Sequence, residues 1–238
     1  MGLIQQKENI SVFFPLRSGS QRVLLKNTKP FSRDGLSLFE RKLNQLLEMT
    51  DSLKEIVIST DDEGIINYCK KFRNNDKIRC IRRPGHLCSS HTPVSELIDY
   101  VPKVVRGEIV LWVHATSPFI DSYDYQKAIK RYFDLSKDGL CDSVMSVNKI
   151  QQFIWSKKEK AIINNTMPNG EWPNTQDLEP WYEINHAFYL NPTRNYLKYK
   201  NRIGNNPHLF VCEGVKKIDI DENADFLLAQ SIESGLLK

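Results

Sequence analysis

The residues that decide the fold are Ile10-Ser-Val-Phe-Phe-Pro-Leu16, followed directly by Arg17-Ser-Gly-Ser-Gln-Arg-Val-Leu-Leu-Lys-Asn27. The first run is apolar, which is typical of a buried parallel strand. The second run interleaves small residues with three cations, which favours a loop shaped around a polyanion. The same residues are also compatible with an ordinary polar loop between a strand and a helix. Motifs elsewhere in the chain are needed to distinguish a phosphate-binding loop from an ordinary one.

Two kinds of side chain suit this loop to phosphate. Three small residues let the backbone approach a ligand and add hydroxyl donors: Ser18, Gly19 and Ser20. Three cations supply charge, the arginines in a planar geometry that matches phosphate oxygens: Arg17, Arg22 and Lys26. The loop lacks the Gly-Lys-Ser/Thr of a Walker motif, and the chain contains no Gly-x-Gly of a dinucleotide fingerprint.

Apolar β-rich runs alternate with helical periodicity along the rest of the chain. Further strands are predicted near 55–58, 78–81, 108–113, 143–147, 185–190, 209–211 and 217–221. Helices are predicted near 36–47, 61–72, 92–102, 125–135 and 193–200, and a last helix runs through 226–229. This alternation predicts one α/β domain over residues 1–238, with a mostly parallel sheet covered by helices on both faces.

The alternation of predicted strands and helices is interrupted between residues 151 and 183. This stretch contains Trp155, Trp172, Trp181, three prolines and an Asn169-Gly170 turn signal. We interpret this stretch as an insertion that contains a hairpin or two. A long aromatic-rich insertion of this kind serves either as a lid or as an arm that packs on a second subunit.

Asp219-Ile-Asp221 lies at the end of a predicted strand, just before the last helix. Residues two apart on a strand project to the same side, so both carboxylates are available to a hard divalent cation. The alternative is that they cap the helix, but Asp225 can fill that role alone. Because parallel sheets bind ligands at the carboxyl ends of their strands, we expect this pair to face the cationic loop across one crevice. A polyphosphate cradle with a metal pair suggests nucleotidyl transfer.

Composition narrows the classes of protein. The formal charge of +4 is mild and both signs are mixed along the chain, which excludes the basic stripe of a nucleic-acid binder. No apolar run is long enough to cross a bilayer, and the first residues lack the apolar core of a signal peptide. The five cysteines show no Cys-x-x-Cys spacing, so we expect reduced thiols and a cytoplasmic protein.

Taken together, the motifs resemble the acylneuraminate cytidylyltransferases, also called CMP-sialic acid synthetases. The segments that carry the resemblance, in order along nearly the whole chain, are Leu16-Arg-Ser-Gly-Ser-Gln-Arg22 with Lys26-Asn27, Ile58-Ser-Thr-Asp-Asp62, Arg83-Pro84 with Leu87, Thr116-Ser-Pro-Phe119, Asn185-x-Ala-Phe-Tyr189, and Asp219-Ile-Asp221 with Asp225-Phe226. The resemblance is weakest across residues 150–182.

The resemblance implies a Rossmann-like fold of the nucleotide-diphospho-sugar transferase type. It implies an enzyme that couples CTP to a nonulosonic α-keto acid sugar with Mg²⁺, releasing pyrophosphate and feeding a surface polysaccharide. It also implies a homodimer that forms through the inserted arm at 151–183. No nucleic acid and no membrane are expected as partners.

The resemblance also implies roles for individual residues. The nucleotide side is Arg17, Ser18, Gly19, Ser20, Arg22, Lys26 and Asn27, with Arg83 near the cytosine. The acceptor side is His114, Thr116, Ser117 and Asn185. Asp219 and Asp221 would hold the metal, and Arg17, Lys26 and Asp221 would be catalytic.

Three positions depart from the family pattern. His114-Ala115 replaces the usual Gln-Pro, although a histidine still offers one donor and one acceptor. Gln21 stands where some members have lysine. Glu183 stands where an arginine for the sugar carboxylate is expected, so Arg194, Lys198 or a basic residue of a partner subunit would have to replace it.

Other interpretations stay open at this point. The acceptor could be a different acid sugar of the legionaminic, pseudaminic or Kdo type. Glu183 also suggests a nucleotide-binding protein that has lost catalysis, although the retained cations and aspartates argue against it. The five histidines show no metal-ligand spacing and are read as structural, apart from His114, which lies beside Thr116. A serine hydrolase is excluded because no Gly-x-Ser-x-Gly elbow occurs.

Overall fold

Seven strands form one sheet in the computed structural model, which describes residues 9–167 and 171–236. The strands of this sheet are β1 (Ile10–Leu16), β2 (Glu55–Thr60), β3 (Ile78–Arg82), β4 (Ile109–Val113), β5 (Ser143–Ile150), β8 (Trp181–Pro192) and β9 (Pro207–Cys212), while β6 (Trp155–Ser156) and β7 (Ala161–Ile162) form a separate hairpin. The helices are α1 (Leu38–Leu47), α2 (Glu63–Cys69), α3 (Val94–Val104), α4 (Ser122–Ser136), α5 (Thr193–Tyr199) and α6 (Asn223–Glu233).

The sheet is mostly parallel, as predicted. Its strand order is β3-β2-β1-β4-β8-β5-β9, and β1, β2, β3 and β4 pair in parallel, as do β5 and β9. Strand β8 runs antiparallel to both of its neighbours, β4 and β5. The insertion leaves the sheet after Ile150 and returns beside it, since Ile150 pairs with Trp181, so β8 runs back along β5 in the opposite direction.

Helices cover both faces of the sheet, which confirms the layered architecture. On one face, β1 side chains such as Phe14 pack with Phe39 of α1, Tyr125 of α4 and Phe226 of α6. On the other face, a smaller cluster joins Phe13, Trp112 and Tyr189 to residues of α3 and α5. Successive residues of β1 therefore serve opposite faces, as the alternation of side chains along a strand requires.

The insertion contains the hairpin β6–β7 and rejoins the sheet at Trp181. Buried Asn164 holds it together, since its Nδ2 donates to Gln152 O at 2.7 Å and its Oδ1 accepts from Ile154 N at 2.9 Å. Trp155 and Trp172 are 64% and 74% exposed, so the hairpin region presents aromatic surface. The predicted Asn169-Gly170 turn and the N-terminal residues used to predict localisation lie outside the described ranges.

The prediction that Asp219–Asp221 ends a strand is wrong. The sheet ends at β9, and residues 218–221 follow a short 3-10 turn, Gly214–Lys217, without joining a ladder. Instead the segment crosses the carboxyl end of β4, where Ile220 N donates to Thr116 O at 2.8 Å. Within the described ranges, no helix has the length and apolar character that spanning a bilayer requires.

Candidate active site

A cavity of about 620 Å³ opens at the carboxyl ends of β1 and β4. Of the fourteen residues predicted for the site, ten line it: Arg17, Ser20, Arg22, Lys26, Asn27, Arg83, His114, Thr116, Asp219 and Asp221. The loop after β1 supplies one side, which we call the loop wall (Arg17, Ser20, Arg22, Lys26 and Asn27). Another part of the lining, which we call the histidine wall, consists of Trp112, His114, His186 and Arg202.

The loop wall is anchored to the end of β2. Ser18 donates twice to Asp61, from its backbone N to Oδ1 at 2.9 Å and from Oγ to Oδ2 at 2.8 Å. Burial acts to raise the pKa of Asp61, but these two hydrogen bonds hold it below its usual value. Within the loop, Asn27 Nδ2 donates to Arg17 O at 3.3 Å. Ser18 thus supports the loop from outside the cavity, and its predicted contact with nucleotide stays a prediction.

Gly19 also lies outside the set of residues that line the cavity. A Cβ atom placed on it would meet nothing within 4 Å, so the folded chain itself does not require glycine there. A ligand that approaches the backbone closely would require glycine at this position, as the sequence predicts.

The loop wall meets the aspartate pair directly. Arg22 Nη2 lies 2.9 Å from Asp221 Oδ1, Lys26 Nζ lies 3.9 Å from the same oxygen, and Lys26 Nζ donates to Ile220 O at 2.7 Å. Burial lowers the pKa of Lys26, an effect that the charge of Asp221 opposes. Residues almost two hundred positions apart therefore share one crevice, as expected from the sequence.

The aspartate pair carries an oxygen that no protein group satisfies. Asp219 Oδ1 is fully enclosed and has no hydrogen-bond partner among the described residues. Burial raises the pKa of this carboxyl, Thr116 opposes the shift, and the nearby charge of Asp221 raises it further. A buried carboxylate oxygen without a donor, beside a second carboxylate, has the chemistry of a site for a hard divalent cation.

The side chains of Asp219 and Asp221 do not cap helix α6. Asp225 Oδ2 accepts hydrogen bonds from Asp221 N at 3.0 Å and from Glu222 N at 2.7 Å at the start of α6. The prediction that Asp225 caps the helix is confirmed, and both side chains of the pair remain directed to the cavity. No group of three or more potential ligands among His, Cys, Asp and Glu occurs in the described ranges, so a metal here would draw further ligands from a substrate or water.

Arg83 is a buried cation at the edge of the cavity. Its Nη2 donates to Ser59 O at 2.6 Å, and burial lowers its pKa. Val94 and Leu97 of α3 line the same cavity and add apolar surface. The geometry therefore places one charged and two apolar side chains where the sequence predicts the cytosine to bind.

His114 lines the cavity with both ring nitrogens already bonded. Trp112 Nε1 donates to its Nε2 at 2.8 Å, and its Nδ1 lies 2.5 Å from His186 O, which only accepts. The proton therefore resides on Nδ1. Burial, supported by the charge of Arg202, lowers the pKa of His114 to about 3, so the ring is neutral at physiological pH. Both ring nitrogens of His114, which we expected to contact a substrate, thus form hydrogen bonds within the protein.

Two predicted acceptor residues do not line the cavity. Ser117 is buried after β4, where its carbonyl oxygen accepts from Lys42 Nζ at 3.0 Å. Asn185 is buried in β8, and its Nδ2 donates to Asn148 Oδ1 at 3.0 Å. Both residues support the fold around the site, and their proposed contacts with an acceptor stay predictions.

Three residues that line the cavity could not be predicted from the sequence: Trp112, His186 and Arg202. Trp112 is almost fully buried on β4, and it also lines the cavity. His186 has φ +58°, a left-handed conformation that residues other than glycine rarely adopt, next to a register shift between β5 and β8. No local motif marks any of the three, because strands and loops that are distant in sequence bring them together.

Comparison with known proteins agrees with this geometry. The sequence pattern of the family described as cytidylyltransferase matches residues 12–190. The chain is 23% identical over 229 residues to an N-acylneuraminate cytidylyltransferase of Escherichia coli O18:K1:H7, covering 95% of this chain and 52% of that protein. It is also 23% identical to the enzyme of the same name from Streptococcus agalactiae serotype V, covering 90% of this chain and 50% of that protein. The chain thus spans about half the length of these curated relatives.

Solved structures share the fold. A CMP:2-keto-3-deoxy-manno-octonic acid synthetase complexed with CTP aligns with a TM-score of 0.64 at 14% identity, covering 96% of this chain and 99% of that one. The 4-diphosphocytidyl-2C-methyl-D-erythritol synthase of Anaerococcus prevotii aligns with a TM-score of 0.63 at 15% identity, covering 95% of this chain and 98% of that one.

Proposed function

This chain belongs to the cytidylyltransferase family, and on that basis we propose that it transfers the cytidylyl group of CTP to a nonulosonic acid sugar, releasing pyrophosphate. The names of its relatives support this substrate class. A Kdo-like acid is the second candidate, because a synthetase for 2-keto-3-deoxy-manno-octonic acid shares the fold.

One observation carries the proposal: three loop cations and two aspartates line a single cavity. Arg22 and Lys26 lie within 4 Å of Asp221, although the two segments are far apart in sequence. Cations that neutralise a triphosphate and carboxylates that hold a divalent metal are the two requirements of nucleotidyl transfer. A shared cavity is what the reaction needs, because both sets act on the same phosphate groups.

In the proposed reaction, the anomeric hydroxyl of the sugar attacks the α-phosphorus of CTP. A new P–O bond forms, the bond to the departing pyrophosphate breaks, and the hydroxyl proton is released to solvent. No covalent enzyme intermediate is required, so the protein contributes chiefly position and charge. Arg17, Arg22 and Lys26 bind the triphosphate and stabilise the charge on the leaving group.

Asp219 and Asp221 are proposed to hold Mg²⁺, and the unsatisfied Asp219 Oδ1 fits this role. When bound, the ion would shield the phosphate charges and lower the pKa of the attacking hydroxyl.

The alternative hypothesis, a nucleotide-binding protein that has lost catalysis, is based on Glu183. The position of Glu183 in the structure argues against this hypothesis. Glu183 is exposed on β8, where its Oε2 accepts from Asn148 Nδ2 at 3.2 Å, and it does not line the cavity. Its carboxylate therefore lies outside the lining of the cavity in which an acidic sugar would bind, and its charge reaches the site only through a minor effect on the pKa of His186.

A cytoplasmic homodimer is part of the proposal. The exposed Trp155 and Trp172 of the insertion give a subunit interface its usual aromatic anchors, and the cysteines are free thiols. Analytical ultracentrifugation should give a dimer for the wild type and a monomer for a Trp155→Ser/Trp172→Ser double variant.

The deciding experiment measures pyrophosphate release from CTP and Mg²⁺ against a panel of α-keto acid sugars that includes N-acetylneuraminic acid and 2-keto-3-deoxy-manno-octonic acid. We expect release with at least one acid, with CTP preferred over ATP, GTP and UTP, and loss of release on chelation by EDTA. Absence of release with every acid, from a folded protein, would refute the proposal.

A further inference from the structure

The histidine wall contains one cation, Arg202, which forms no ion pair with a carboxylate of the described residues. Arg202 lies in the loop between α5 and β9 and lines the cavity. Among the described residues it forms no ion pair within 4.0 Å, whereas Arg22 and Lys26 of the loop wall share Asp221. An arginine placed in a cavity without a counter-charge is suited to an anionic ligand group.

Aromatic faces orient this guanidinium. Its central carbon lies 4.2 Å from the ring centroid of Tyr189 and 5.3 Å from that of Trp112. Both rings belong to strands at the middle of the sheet, and both are fully or almost fully buried. Packing against these faces restricts the plane of the guanidinium, which reduces the entropy lost when a planar carboxylate binds.

Most donors of Arg202 remain available to a ligand. Arginine has five N–H donors and no acceptor, and the hydrogen bond found here runs from Nη2 to His186 Nδ1 at 3.2 Å. Arginine can only donate, so this bond forms in the tautomer of neutral His186 that carries its proton on Nε2. Burial and the charge of Arg202 lower the pKa of His186, which agrees with a neutral ring.

The strained backbone of His186 directs its ring into the cavity beside Arg202. Its φ of +58° is held by a network, since Nδ1 lies 2.6 Å from Tyr189 Oη and its carbonyl oxygen bonds to His114. Its Nε2 has no hydrogen-bond partner among the described residues. A non-glycine residue held in this conformation at a cavity wall is consistent with a role in binding.

We propose that Arg202, with His186 Nε2 beside it, binds the carboxylate of the acid-sugar acceptor; this inference rests on the proposed function. In such sugars the carboxylate is attached to the carbon that carries the attacking hydroxyl. Holding the carboxylate therefore sets the position of the hydroxyl relative to the triphosphate on the loop wall. Arg202 replaces the arginine that the family pattern places at position 183, and it does so from a different element of the fold.

The other candidates for this role do not line the cavity. Arg194 is exposed on α5, and its charge lies near Tyr132 on the other side of the sheet's core. Lys198 is exposed on the same helix, with its Nζ 4.9 Å from the ring centroid of Tyr199. Both residues therefore provide matched controls, because each can lose its charge without altering the cavity.

The test compares the wild type with Arg202→Gln and Arg202→Lys, and with Arg194→Gln and Lys198→Gln as controls. Pyrophosphate release is measured with the acid that the wild type prefers and with the methyl ester of that acid. We expect Arg202→Gln to lower kcat/KM for the acid by about 100-fold and for the ester by less than threefold. The KM for CTP should change by less than twofold, and both controls should match the wild type.

Arg202→Lys keeps the charge but loses the bidentate geometry, so a loss of about tenfold is expected. This variant also serves if Arg202→Gln fails to fold, which thermal unfolding would reveal. An equal loss on acid and ester, an equal loss on acid and CTP, or an unchanged kcat/KM for the acid would each overturn the inference.

The proposed function fails separately if the wild type releases no pyrophosphate with any acid. In that event, calorimetry with N-acetylneuraminic acid and 2-keto-3-deoxy-manno-octonic acid decides the inference. Binding that Arg202→Gln abolishes would support it, and binding that is absent from the wild type or unaffected by Arg202→Gln would overturn it.

Discussion

The loop wall comes from one continuous segment after β1, whereas the histidine wall combines residues of β4, β8 and the loop before β9. Their charges differ as well. Two of the three cations of the loop wall, Arg22 and Lys26, lie within 4.0 Å of Asp221, and the Arg22 side chain is 61% exposed. The histidine wall holds two neutral histidines and one arginine packed on buried aromatic rings.

This difference matches the tasks we propose for the two walls. A triphosphate is a flexible, highly charged group, and cations on a loop can adapt to it. An acid sugar has to be distinguished from other sugars and aligned for attack, which favours donors fixed by packing. The loop wall therefore suits a cofactor-like substrate common to the family, and the histidine wall suits the selection of an acceptor.

The largest effect is expected at the metal site that we propose for Asp219 and Asp221. Asp221→Ala removes one of two carboxylates proposed to hold Mg²⁺, and kcat should fall by about 1,000-fold at saturating CTP. Because the Asp221 side chain is half exposed, the variant should keep its fold and its thermal unfolding temperature within a few degrees. The exposed Asp138→Ala serves as a charge control, and full activity in Asp221→Ala would show that the metal assignment is wrong.

The second prediction concerns the rigidity of the histidine wall. His114→Phe leaves Trp112 Nε1 and His186 O without partners at a partly buried wall, and the free energy of unfolding should fall by about 1–3 kcal/mol. Urea unfolding at pH 7.5 measures this loss, with the exposed His91→Phe as control. An unchanged unfolding free energy together with a lower kcat would indicate a direct role in the reaction instead.

The same variant should change the pH dependence of stability. The pKa of His114 is lowered to about 3 in the folded protein from an ordinary 6.5, so the unfolded chain binds its proton first as the pH falls. Stability from this group is complete above pH 6.5 and is lost progressively between about pH 6.5 and 3. His114→Phe should flatten this part of the curve.

A smaller effect is expected behind the loop wall. Ser18→Ala removes the 2.8 Å hydrogen bond to Asp61 but leaves the backbone one, so the loop becomes less ordered and the KM for CTP should rise by about three- to tenfold. The KM for the acceptor should stay within twofold. Asp61→Asn should show a similar change, and the double variant should be less than additive. A large fall in kcat would instead indicate contact between Ser18 and phosphate.

The smallest effect is predicted at position 183. Family resemblance alone suggests that Glu183→Arg would alter the choice of acid, but the side chain is exposed and bonds to Asn148 outside the cavity. We therefore expect the acceptor KM to change by less than threefold, far less than for Arg202→Gln. If the acceptor KM changed by tenfold or more in steady-state kinetics, the carboxylate subsite would have to lie near Glu183 on β8 and not at Arg202.

The features that could be predicted from the sequence are those that depend on local pattern. Buried strands such as β1 and amphipathic helices such as α1 reveal themselves by periodicity, and the loop wall is a contiguous segment of cations and small residues. The capping role of Asp225 was also predictable, because it concerns neighbours along the chain. The direction of β8 was not, since it depends on how the insertion returns to the sheet.

By itself, the sequence determined the layered α/β class and the cationic loop at the end of the first strand, because side-chain periodicity and turn chemistry act over a few residues. Only the tertiary structure decided that Asp219 and Asp221 cross the end of β4 without joining the sheet. The tertiary structure also decided that His114 uses both nitrogens internally and that Arg202 enters the cavity. These outcomes depend on packing between segments far apart in the chain, where burial and hydrogen-bond geometry determine which groups remain available to a ligand.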